Sequence, residues 1–60
     1  MNYECLWYLE EELQNPVFKE FRTKKQALYF YEKHKNDTDK FGWWVTKRDK
    51  DGFVVKDLIY

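Results

Sequence analysis

The chain has 60 residues, with eleven Lys and Arg balancing eleven Asp and Glu for a formal net charge of zero, 22% aromatics, one cysteine and one histidine. That length holds a single domain, residues 1–60, and buries only about 60% of the surface its unfolded form exposes. One cysteine excludes an internal disulfide, and one cysteine with one histidine excludes a zinc site of about four ligands. A small domain without such staples needs dense aromatic packing, at ~150–250 Å² per ring, or a partner.

The first residues hold Glu4 and no basic start, and no long apolar run follows. Neither a signal peptide nor a transmembrane segment is expected. A lone thiol, Cys5, suits a reducing compartment, so the expected location is the cytoplasm.

In residues 3–9, Tyr3, Cys5, Trp7 and Leu9 alternate with Glu4, Leu6 and Tyr8. Aromatics and alternation favour a strand. The rival over residues 3–13 is a helix with Tyr3, Leu6, Trp7 and Leu13 on one stripe. Leu13-Gln14-Asn15-Pro16 reads as a turn, and Val17 to Arg22 as a shorter second strand. Thr23 followed by Gln26 is a capping box, and it opens a helix running to about Lys35. Lys33, His34 and Lys35 suit the negative end of its dipole, and Asn36-Asp37 stops it. Phe41 to Arg48 and Phe53 to Ile59 read as strands joined at Asp51-Gly52, a hairpin signal. The fold class is therefore α+β: a small two-layer domain in the order β-β-α-β-β. An antiparallel sheet of about four strands carries one helix on one face.

A two-residue Asp51-Gly52 turn pairs Lys50 with Phe53, and a four-residue loop pairs Arg48 with Phe53. Both place Phe41, Trp43, Val45, Val54, Leu58 and Tyr60 on one face. Trp44, Thr46, Arg48, Phe53, Val55 and Ile59 fall on the other. One helix covers only one face, and the first is the more continuously apolar. Trp44, Phe53, Val55 and Ile59 are then left on the open side, where such a cluster marks an interface unless a terminal segment folds over it. On the helix, Ala27, Phe30, Tyr31 and His34 face inward with Leu28 at their edge. Tyr29 points outward between Lys25 and Lys33 on one ridge, either an ordinary solvated face or a grip for phosphate or an acidic surface.

Charge is uneven along the chain. Residues 1–22 hold five acidic and two basic groups, net −3; residues 23–50 hold eight basic and four acidic, net +4; residues 51–60 are net −1.

No catalytic or cofactor motif emerges. Glu10-Glu11-Glu12 and Asp37 with Asp39 read as solvated charge. Asp49, Asp51 and Gly52 lack the spacing and closing Glu of a calcium loop. Cys5 reads as a small buried hydrophobe, and nothing orients it toward His34. No catalytic, metal or cofactor residue is expected, and the chain is read as not an enzyme.

Three functions remain. The first is a small interaction protein that docks on a larger protein and modulates or inhibits it. It is similar in type to the short accessory proteins of phages and mobile elements. Its partner-binding residues are Trp44, Phe53, Arg48, Tyr29, Lys25, Lys33 and Lys47. The second is a nucleic-acid-binding module using Lys47, Arg48, Lys50, Trp44, Lys25 and Tyr29. A pI near 6.6 weighs against that, since such binders are normally basic. The third is a structural homodimer.

Overall fold

Alternation at the start of the chain resolves as a strand rather than a helix. The computed structural model describes residues 2–59. Its elements are β1 (Asn2–Leu9), β2 (Glu12–Phe21), α1 (Lys24–His34), β3 (Lys40–Arg48) and β4 (Val54–Ile59). They form one four-stranded antiparallel sheet in the order β2-β1-β3-β4, with α1 packed on one face. This is the two-layer β-β-α-β-β domain expected from sequence. Among the described residues, no helix is long and apolar enough to cross a membrane.

The helix forms for local reasons. Thr23 is extended, and its Oγ1 accepts the backbone N–H of Gln26 at 3.1 Å. That satisfies one of the unpaired donors of the first turn. The reciprocal bond from the Gln26 side chain is not made among the described residues. At the other end the Lys35 N–H closes the last turn on the Tyr31 carbonyl at 2.7 Å.

The inner face is the one its spacing marks. Ala27 is fully buried, Leu28, Phe30 and Tyr31 pack against the core, and Tyr29 is 68% exposed. Cys5 lies beneath the helix in the middle of the sheet, fully buried, and donates its Sγ–H to the Ala27 carbonyl at 3.2 Å. Trp7 stacks on Trp43 with ring centroids 5.0 Å apart, and Phe30 lies 5.3 Å from Trp7. Aromatic packing thus takes the place of a staple.

Three irregularities correct the expected faces and turns. The first is at Gly42. Leu6 pairs with Trp44 but Tyr8 pairs with Phe41, so Gly42 and Trp43 together oppose Trp7. One extra residue reverses which face the following side chains take. Trp43 stays beside Trp7 under the helix, and Phe41 moves to the open face against Tyr8, not to the helix face. Gly42 permits this with φ +66, and a Cβ there would lie 3.1 Å from the Tyr8 ring.

The second is the hairpin loop, which has three residues rather than two or four. The Asp49 N–H donates to the Phe53 carbonyl at 3.0 Å, and Gly52 takes φ +87. A three-residue loop with a left-handed final residue is a standard hairpin closure, but it inverts the parity of β4. Arg48 therefore pairs with Val54, and further register shifts bring Val45 opposite Ile59. Val54 belongs to the open face and Ile59 packs against the core, the reverse of expectation. Tyr60 lies outside the described residues.

The third is at Pro16. β1 and β2 turn at Glu10–Glu11, with Leu9 opposite Glu12, and the segment from Leu13 to Pro16 sits against Tyr8 alone. The signal read as a turn is a bulge of four residues against one, and β2 begins at Glu12 rather than Val17. Neither Glu10 nor Glu11 has positive φ, so the turn lacks the primed geometry that matches sheet twist. Irregular pairing follows directly after it.

A polar clasp ties the end of α1 to the start of β3. His34 Nδ1 lies 2.8 Å from Asp37 Oδ2, and Lys40 Nζ donates to the same oxygen at 3.1 Å. The His34 ring rests on Phe30 with centroids 4.5 Å apart. These hydrogen bonds, His34's first, hold the Asp37 carboxyl below its ordinary pKa. A lowered native pKa stabilises the fold above the unfolded value of ~3.9, and that contribution is lost as pH falls through the native value.

Two outcomes are expected. Asp37→Asn should unfold at a lower temperature than the parent near neutral pH, with the gap closing as pH falls through the carboxylate range. A gap constant down to acid would remove the clasp from the pH dependence. Gly42→Ala should lose ~1–2 kcal/mol in urea unfolding, the cost of a left-handed backbone. Gly42→Asn should lose less, because Asn tolerates that region. Parental stability in the Ala variant would show that the bulge does not need glycine.

Candidate docking surface

No described helix or strand packs on the other sheet face, although Glu4 and Thr46 on it are buried, and pairing registers lay out its side chains in rows across the strands. Phe18, Leu6 and Trp44 form one row. Tyr8 and Phe41 form the next, their rings stacked at 6.0 Å. Leu6, Tyr8 and Trp44 are half-buried, whereas Phe18 is 58% and Phe41 45% exposed. Gly42, having no side chain, leaves a shallow groove between Tyr8 and Trp44, floored by Leu6. These five large side chains make one continuous apolar patch.

Acidic groups frame that patch. On one side lies the row Glu20, Glu4, Thr46, Asp57. Beyond Tyr8, at the other end of the strands, is the exposed Glu10-Glu11 turn, while Glu12 pairs with Leu9 on the helix side. Glu4 is buried and paired, with Oε1 accepting from the Arg48 guanidinium at 3.0 Å. Glu20 and Asp57 have no cationic partner among the described residues. Asp57 accepts the Trp44 indole N–H at 2.8 Å, and Glu20 a long 3.4 Å bond from Asn2. The helix side of the same sheet has the opposite sign. Lys19 lies over the Phe21 and Phe30 rings, and Lys47 stands directly opposite Lys56.

The expected partner-binding residues therefore fall in separate places. Trp44 and Arg48 share the open face. Arg48 is committed there to Glu4 and to the Gly52 carbonyl at 2.7 Å, so it holds the hairpin rather than standing free. Phe53 is 71% exposed but sits at the hairpin loop opposite Asp49, about 17 Å along the strand from Trp44 at ~3.4 Å per residue. Tyr29, Lys25 and Lys33 lie on the outer helix surface, where Lys25, Tyr29 and Leu28 line a shallow groove. Lys47 is on the helix side, and Lys50 is exposed in the loop.

Sequence reasoning missed Leu6, Tyr8, Phe18, Phe41, Glu20 and Asp57 as members of this surface. The β1 alternation does group Leu6 with Tyr8, and pairing to Trp44 was the piece that parity alone did not supply.

Nucleophile chemistry is not assembled. Burial first, and Glu4 second, push the Cys5 thiol up to about 11, so it stays neutral and poorly nucleophilic. His34 lies seven residues past Ala27 on the helix, about 10 Å at 1.5 Å per residue, too far to act on that thiol. The Asp49 carboxylate accepts the N–H groups of Asp51 and Phe53, which makes it a loop brace. Among the described residues no cluster of His, Cys, Asp or Glu has a metal-holding arrangement. No family model, curated protein or solved structure matches this chain.

Proposed function

We propose that this chain is a small, non-enzymatic interaction protein of the cytoplasm. It docks through its open sheet face on a larger protein and modulates or inhibits that protein. The observation that carries this reading is the uncovered row of Phe18, Leu6 and Trp44, flanked by Tyr8 and Phe41. Monomeric proteins rarely leave contiguous apolar patches of more than a few hundred Å² uncovered.

Size fits as well. The molecule is a slab of 32 × 23 × 16 Å across its Cα atoms, and its broad face is comparable to the ~800 Å² one partner contributes to a standard interface. Trp44 and Tyr8 are the residue types that anchor such contacts. The frame of Glu20, Asp57 and the Glu10-Glu11 turn repels phosphates, which favours a protein over a nucleic acid on this face.

A second reading, nucleic-acid binding, draws support from the helix side. The Lys25, Tyr29, Lys33 ridge and the uncompensated Lys47, Lys56 pair offer phosphate contacts there. Steep salt dependence would accompany it.

The test is capture of partners from lysate by the parent chain and by Trp44→Ala, each with and without nuclease. One protein near equal stoichiometry, kept after nuclease and lost with Trp44→Ala, supports docking through this face. Purified, that pair should lose 2 kcal/mol or more of affinity in Trp44→Ala, on the hot-spot scale of ~2–4 kcal/mol, with the circular dichroism unchanged. Capture that vanishes on nuclease treatment alone would put the helix side first.

A further inference from the structure

Charge on the open face narrows the chemistry of what it binds. The apolar rows of Leu6 and Tyr8 lie between two acidic zones, the Glu20, Asp57 row and the exposed Glu10-Glu11 turn. Along β1 these zones are six residues apart, or about 20 Å. Glu20 stands directly opposite Glu4, and like charges in that position destabilise a sheet. Arg48 matches only Glu4. The excess negative charge beside an apolar patch is thus left for something outside the chain to match.

Resting on the docking role proposed above, we infer that the occupant is a basic amphipathic protein segment, apolar along one side with Lys or Arg on both flanks. Its apolar side would lie on Leu6, Tyr8 and Trp44. Its cations would reach Glu20 and Asp57 on one side and the glutamate turn on the other. A second copy of this chain fits worse. A twofold axis along the strands lays β2 of one copy over β4 of the other, which brings Glu20 onto Asp57. A twofold axis across the strands and between the Leu6 and Tyr8 rows lays apolar on apolar but brings the Glu20, Asp57 row toward the partner's glutamate turn. Nucleic acid is repelled by the same frame.

The experiment titrates the full chain with two short helical peptides of equal leucine content, one Leu/Lys and one Leu/Glu. Backbone amide and tryptophan indole resonances report the site. The Leu/Lys peptide should shift Leu6, Tyr8, Phe41 and the Trp44 indole, and bind about tenfold tighter than its acidic twin at low salt. Its advantage should shrink as salt rises. Glu20→Lys with Asp57→Lys should reverse the preference. Glu20→Gln with Asp57→Asn, which removes charge without adding any, should abolish most of it and guards against a folding defect in the first pair.

Equal binding of both peptides at the open face would overturn the charge inference and leave the docking reading standing. Shifts confined to the helix side, or no shifts together with unchanged capture by Trp44→Ala, would overturn both. Sedimentation showing a dimer that Trp44→Ala disperses would assign the face to a second copy and also overturn the inference.

Discussion

Trp7 and Trp43, stacked at the centre of the sheet and overlaid by Phe30, are what the rest of the molecule is arranged around. Only Cys5, Trp7, Ala27 and Val45 are buried among the hydrophobic residues described. A core that small cannot rest on aliphatic packing alone. Phe21, Tyr31 and the His34 ring extend the stack to the sheet edge and the helix end. The indole N–H groups of Trp7 and Trp43 are buried without an acceptor among the described residues. An unmade donor costs ~1–3 kcal/mol, so the pair is held there by its buried area and stacking.

The bulge beside the stack also shapes the open face. Leu6 opposite Trp44 already sets Trp43 beside Trp7, and the extra residue at Gly42 then turns Phe41 outward against Tyr8. One backbone irregularity therefore enlarges the apolar patch while the stack keeps its register. The two faces then differ in charge, with lysines beside the helix and glutamates around the open patch. A neutral chain becomes a two-signed slab.

What the sequence disclosed follows the range of the interactions involved. Thr23, Gln26 and the Ala27, Phe30, Tyr31 spacing act within a few residues, so the helix and its inner face were legible. Asp51-Gly52 announced a hairpin for the same reason. Loop length was not legible, because Asp49 closing on Phe53 adds one residue that no propensity marks. Face assignment depends on that parity, so Val54 and Ile59 were exchanged. Phe41 was misplaced because Gly42 looks like an ordinary glycine until Trp7 is set opposite it. Trp44 was identified correctly as outward-facing. Its neighbours Leu6, Phe18 and Asp57 come from other strands and were out of reach without the pairing.

Pro16 carries a consequence for how any partner can approach. β2 is one edge of the sheet, and Pro16 has no N–H to offer along it. The bulge from Leu13 to Pro16 further disorganises that edge's ladder. β4, the other edge, shifts register twice against β3. Bulged or proline-bearing edges are among the ways sheets discourage an added strand. Main-chain recognition by β-augmentation is thereby disfavoured at both borders, and side chains on the flat surface are the better placed to make the contact.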